Sequence, residues 1–120
     1  MCGIFFIKGK YNYEILNHHF MKGQSRGPDN SKLEYINEDT TLGFHRLMIN
    51  GLDEISNQPI VKNGIYLICN GEIYNYKELY YYLNLTPTTN SDCEIIIDLY
   101  LTYPIEHFIK LLDGVFAFII

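Results

Sequence analysis

Met1-Cys2-Gly3-Ile4-Phe5-Phe6-Ile7 opens the chain with a thiol directly behind the initiator methionine and a short apolar run behind the thiol. The run has the length of a buried strand, and Lys8-Gly9-Lys10 closes it with a turn. The thiol carries a second meaning. Small side chains at position 2 permit removal of the initiator methionine, and Cys2 would then hold a thiol and a free α-amine on one residue. An α-amine titrates near ~7.7–8.0 and an unperturbed thiol near ~8.5. The amine can therefore take the thiol proton, directly or through a water, without a histidine partner. Taken alone, Cys2 also reads as a small hydrophobe entering a first strand, because free cysteine is commonly buried.

Beyond that stretch, residues 13–21 predict a helix with Ile15, Leu16, His19 and Phe20 on one side. Gly23-Gln24-Ser25-Arg26-Gly27-Pro28-Asp29-Asn30 is dense in turn formers and predicts a loop. Residues 32–37 and 42–49 read as strands with Thr40-Thr41 near the turn between them, and residues 50–59 are irregular. Residues 65–70 form a short apolar strand that runs into Asn70-Gly71, a hairpin-type turn signal. Residues 76–83 predict a short helix. Ser91-Asp92-Cys93-Glu94 has capping-box spacing and opens a helix to about Thr102. Pro104 suits a first helical position, Gly114 suits the residue after a helix, and residues 115–120 form a final apolar strand. Strands with helices inserted between them predict an α+β layered domain.

The chain has 120 residues, enough for one small domain over residues 1–120 or part of one. With 48% hydrophobic and 19% charged residues it predicts a folded chain, not a disordered one. A net charge of −5 and the lack of any Lys/Arg cluster argue against a nucleic-acid partner. No apolar run approaches the ~20 residues that span a bilayer, so no membrane partner is expected. Cys2, Cys69 and Cys93 stand far apart with no C-x-x-C or Cys/His pairing at metal spacing, and no metal site is expected. An odd cysteine count behind a start with no basic n-region points to a reducing, cytoplasmic setting. The uncharged hexapeptide at the end would leave a bare strand edge, so the chain is expected to be a piece of something longer.

Four polar clusters interrupt the apolar pattern: Arg26-Gly27-Pro28-Asp29, His45-Arg46, Asn70-Gly71-Glu72-Ile73-Tyr74-Asn75, and Ser91-Asp92. Singly, each has an ordinary reading as a turn, a surface residue, a hairpin signal or a helix start. Together they match the needs of a free amino acid. A guanidinium at Arg46 pairs with an α-carboxylate, and a carboxylate at Asp92 with an α-ammonium. The Asn70 amide and the Gly71 N–H can point at a carbonyl oxygen that becomes an oxyanion.

With these blocks in order, the chain resembles the class II, N-terminal-nucleophile glutamine amidotransferase domain, in the subtype of glutamine-hydrolysing asparagine synthetase. The resemblance rests on Met-Cys-Gly-Ile, Arg-Gly-Pro-Asp, Gly-Phe-His-Arg-Leu, Gln58-Pro59, Asn-Gly-Glu-Ile-Tyr-Asn, Asp-Cys-Glu-Ile-Ile and Leu-Asp-Gly-Val-Phe-Ala-Phe, which span nearly the whole chain. It implies an Ntn-hydrolase-type αββα sandwich, incomplete at the C-terminus. It implies Cys2 as nucleophile toward L-glutamine, with Asn70 and Gly71 as oxyanion hole. Arg46 would hold the substrate carboxylate, with Leu47, Met48, Ile49 and Asn50 lining the pocket beside it. Glu72 and Asp92 would meet the ammonium, and Arg26 would support the nucleophile's loop. The ammonia would pass to a synthetase domain or subunit. No cofactor is expected in this chain: ATP and Mg belong to that absent domain, and Gly9-Lys10 is not a phosphate loop. Two other functions fit the same residues, a non-catalytic remnant or regulatory module that binds glutamine, and a stand-alone amidase for another amide.

Overall fold

Strand β1 (Gly3–Lys8) runs antiparallel to β3 (Thr40–Arg46), whose other edge pairs with β2 (Asn30–Asn37). A second three-stranded sheet sets β5 (Ile65–Ile73) between β4 (Ile60–Lys62) and β6 (Gly114–Ile119), again antiparallel. Helices α1 (Tyr13–Met21), α2 (Tyr76–Leu83), α3 (Ile95–Thr102) and the short α4 (Ile105–Phe108) complete the elements. This is a computed structural model that describes residues 2–49 and 51–120.

Successive side chains of a strand point to opposite faces, and the two faces of each sheet meet different partners. Leu42 and Phe44 of β3 pack on Ile68 of β5, with Cys2 and Ile4 beside them. Phe5 and His45 face away from that contact, onto Phe20 of α1. In the second sheet Leu67, Cys69 and Ile73 turn outward to a core shared with α2, α3 and Phe108 of α4. The layers therefore run α1, sheet, sheet, then α2 and α3. The mixed helix-and-sheet class expected from the sequence is the one observed.

Local chemistry explains most elements. Asn12 caps α1 by accepting a hydrogen bond from the Glu14 N–H at 2.7 Å, and Leu16 and Phe20, four residues apart, form the buried stripe. Asn84 ends α2 in the left-handed region at φ 53°, a conformation asparagine tolerates better than most residues. Helix α3 begins Ile-Ile-Ile, a β-branched run that propensity disfavours. All three are fully buried, and burial worth roughly 1.5–3 kcal/mol per side chain outweighs a propensity cost below about 1 kcal/mol each.

Several expectations are corrected. Asn70-Gly71 is not a turn: β5 continues through it to Ile73, because Gly71 lies opposite Phe116 of β6. A Cβ on Gly71 would collide with the Val115 carbonyl, so this glycine serves close strand approach. Gly114 opens β6 instead of following a helix. Residues 60–62, which carried no prediction, form β4. The strand expected over 42–49 starts at Thr40 and ends at Arg46, and Thr40-Thr41 belong to it. Pro104 is the cap before α4, one position earlier than expected. The capping box is only half present: Ser91 accepts from the Cys93 N–H at 3.3 Å, but the Glu94 carboxylate turns to Thr88 and Thr89.

The fold creates a cleft by alternation. Arg46 follows Leu42 and Phe44 on one face of β3, and Asn70 and Glu72 follow Tyr66 and Ile68 on one face of β5. The apolar members close the gap between the sheets, and the polar ones surround its open end.

Candidate active site

At that end lies a cleft of about 290 Å³. It brings together Cys2, Arg46, Leu47, Ile49, Asn70, Gly71, Glu72 and Asp92, eight of the ten residues expected to act on or hold a substrate. Met48 does not line it, and Asn50 lies outside the described residues, as does Met1.

Cys2 is held by its neighbours at three points. Its Sγ accepts from the Leu47 N–H at 3.4 Å and lies 3.6 Å from the Leu47 carbonyl, which the thiol can donate to. Arg26 Nε donates to the Cys2 carbonyl at 3.2 Å. Arg26 itself faces a second cavity that Cys2 also lines, shared with His45 and Asn70. Asp29, from the same Arg-Gly-Pro-Asp turn, accepts from the Met48 N–H at 2.8 Å and donates its own N–H to the Arg46 carbonyl at 3.0 Å. That turn thus fixes residues 46–48, and Met48 contributes its backbone there.

Arg46 is 3% exposed and stands at the end of β3. Its Nη1 donates to the Asp53 carbonyl at 2.8 Å and to Asn57 Oδ1 at 2.5 Å, and its Nη2 donates to the Gly51 carbonyl. The guanidinium therefore shapes the turn over residues 51–57 while it faces the cleft. Asp53 has both carboxylate oxygens occupied. Oδ1 accepts from Ser56 Oγ at 2.6 Å and from the Ser56 N–H at 3.1 Å, and Oδ2 accepts from Asn90 Nδ2 at 2.5 Å. Ser56 first and Asn90 second hold the Asp53 carboxyl below the usual carboxylate range.

The opposite wall comes from β5 and the segment before α3. The side-chain oxygen of Asn70 is buried and has no hydrogen-bond partner, a costly arrangement in a folded protein and a common mark of a ligand site. Gln58 fixes the backbone just ahead of it: its Nε2 donates to the Cys69 carbonyl at 3.1 Å, and its Oε1 accepts from the Cys69 N–H at 2.5 Å. A side-chain amide here mimics one rung of a strand ladder next to β4. Asp92 Oδ2 accepts from the Ile73 N–H at 2.7 Å, tying the acidic residue to the end of β5. Cys93 also borders the cleft, but its hydrogen bond with Cys69 and its burial push its thiol well above the ordinary value. It stays a protonated thiol.

A family model described as a glutamine amidotransferase domain matches residues 1–120. The chain belongs to that family. The amidotransferase chain is also similar to asparagine synthetases named as glutamine-hydrolysing. It is 42% identical to that of Bos taurus, 43% to that of Mesocricetus auratus and 41% to that of Homo sapiens. Each match covers 100% of this chain and 22% of the relative. The amidotransferase chain thus corresponds to the N-terminal part of those enzymes and spans about a fifth of their length.

In this amidotransferase domain, no described helix is long and apolar enough to cross a membrane. Among the described residues, no group of three or more His, Cys, Asp or Glu side chains is placed to hold a metal ion. Lys8 and Lys10, flanking Gly9, pair with Asp39 and Glu38 on the surface. Sequence reasoning missed two features of the site. Gln58 was visible only as part of a motif block, with no hint of its grip on Cys69. The Asp53–Ser56–Asn90 contact was missed too, although Asp53-x-x-Ser56 has the spacing of a side-chain turn cap.

Proposed function

We propose that this chain hydrolyses the side-chain amide of L-glutamine with Cys2 as an N-terminal nucleophile. The observation that carries the reading is the convergence on one cleft of a thiol, a guanidinium, an asparagine side-chain amide and a carboxylate. With Met1 removed, the α-amine of Cys2 takes the thiol proton and Sγ attacks the substrate Cδ. Negative charge gathers on the substrate amide oxygen, to which the Asn70 Nδ2–H and the Gly71 N–H donate; removing one such donor typically costs on the order of 10²–10³ in rate. The Cδ–N bond then breaks, the Cys2 α-ammonium gives its proton to the departing nitrogen, and ammonia departs from a γ-glutamyl thioester. Water attacks the same carbon as the Cys2 α-amine takes its proton, the C–S bond breaks, and that proton returns to Sγ as glutamate leaves. Arg46 takes the substrate α-carboxylate, Asp92 and Glu72 take the α-ammonium, and Leu47 and Ile49 line the pocket.

The sheet-on-sheet layering with helices outside supports an Ntn-hydrolase-type sandwich, of which residues 1–120 are the N-terminal portion. The similarity to asparagine synthetases supports a synthetase domain or subunit as recipient of the ammonia; on our reading ATP and magnesium act there and no cofactor acts in this cleft. Three unpaired cysteines support the cytoplasm as the compartment.

Purified chain lacking Met1 is expected to release equal amounts of ammonia and glutamate from L-glutamine, and Cys2→Ala to release neither. An intact-mass spectrum showing Met1 retained in active protein overturns the mechanism. Ammonia release that persists in Cys2→Ala overturns the assignment of the nucleophile.

A further inference from the structure

The two charged ends of an amino acid share one carbon, so the groups that grip them must keep a fixed separation. Here those groups sit on different segments. Arg46 is bound up with the turn over residues 51–57 through Gly51, Asp53 and Asn57. Asp92 follows the segment over residues 88–91, whose far end is fastened to buried Glu94 by the Thr88 and Thr89 N–H groups. Between the two segments stands the Asp53 carboxylate. One oxygen takes Ser56 of its own turn and the other takes Asn90 of the facing segment. Ser56 Oγ closes the same junction by accepting the Asn90 N–H at 3.2 Å.

We propose that Asp53, Ser56 and Asn90 form a clasp across the cleft rim that sets the distance between Arg46 and Asp92, and so selects ligands carrying both an α-carboxylate and an α-ammonium. These are positioning residues: none needs to touch the substrate. The clasp rests on the reading of Arg46 and Asp92 as the two grips. Binding sites lose affinity once their groups drift by more than about 0.5 Å from the productive geometry. A ligand held at both ends registers such drift, whereas a ligand held at one end follows the wall that holds it. Loosening the rim therefore weakens L-glutamine selectively.

The test compares L-glutamine with 4-carbamoylbutanoate, the same molecule without its α-ammonium, by calorimetric titration of the chain carrying Cys2→Ala. Adding Asn90→Ala is expected to weaken L-glutamine about tenfold, the loss of roughly one hydrogen bond to a charged group. The analogue's affinity should stay within about twofold. Asp53→Asn, which keeps an acceptor for Ser56 but turns a second amide toward Asn90, should give the same pattern, and it decides the matter if Asn90→Ala melts early. The double variant should be no worse than either single one, since each breaks the same contact. Equal weakening of both ligands, or unchanged discrimination, overturns the clasp. If the Cys2→Ala parent binds neither ligand, or binds L-glutamine equally well after Arg46→Ala, it is the reading of the grips that falls.

Discussion

Arg46 serves two ends, and its chemistry explains why a lysine would not do. Its planar fork reaches Asp53, Asn57 and Gly51 from one position, while the same group faces the place proposed for a carboxylate. Arg46→Lys keeps the charge but leaves acceptors unpaired in a half-buried turn. The expected outcome is a glutamine KM raised about tenfold or more with a smaller change in kcat, and a lower melting temperature. Steady-state kinetics and a thermal melt check both, and an unchanged KM shows the carboxylate is held elsewhere. At this scale the sequence was legible where a proposed role calls for a particular functional group. A thiol at position 2, a guanidinium at 46 and an amide followed by glycine at 70–71 have few substitutes, and their types alone proposed a chemistry. Gln58 was opaque because a side chain that stands in for a strand rung leaves no periodic trace. Asp53 and Asn90 were opaque because their contact spans 37 positions, and nothing local in either segment announces the other.

Elements followed their local signals where the signal was a cap or a stripe, and departed from them where another strand arrived. Helix α1 was readable from its apolar spacing over the residues it occupies, and the span read as a helix over residues 76–83 is the one α2 occupies. Both wrong readings at glycines, 71 and 114, came from the same cause. Glycine marks turns when backbone conformation is at stake, yet here it clears space for a neighbouring backbone, since a Cβ on Gly114 would strike the Glu72 carbonyl. That distinction belongs to pairing partners about 40 residues apart and is invisible in a window of ten. Gly114→Ala is therefore expected to destabilise the fold by about 1–3 kcal/mol, as forced overpacking does, measured by urea unfolding. Because Gly114 pairs with Ile73, whose N–H is held by Asp92, the same variant should also weaken glutamine binding. A stable variant with intact binding would show that β6 does not support the site.

On the scale of the molecule, a buried carboxylate joins what the sheets leave apart. Glu94 is fully buried and accepts from Lys62 of β4 at 2.9 Å, from Thr88 and from Thr89, while Lys62 also reaches Asp98 of α3 at 2.8 Å. Burial alone would raise the Glu94 pKa, but Lys62 and the threonine donors overcome it and hold the group at about 2, against an ordinary 4.5. A folded-state pKa below the unfolded one adds stability that is complete above about pH 4.5 and disappears as the pH falls toward 2. Stability at neutral pH that depends on this one group is on the order of 3 kcal/mol. Denaturation midpoints followed from pH 6 to pH 2 should fall across that window and fall less in Glu94→Gln; parallel curves would remove Glu94 as the cause. The arrangement of the three thiols has a practical consequence for stoichiometry. Cys69 and Cys93 are buried, and Cys93 is held protonated, whereas Cys2 is half-exposed at the cleft. A brief pulse of a thiol-alkylating dye would then mark one position per molecule, and the dye taken up becomes a census of correctly folded, open sites in any preparation.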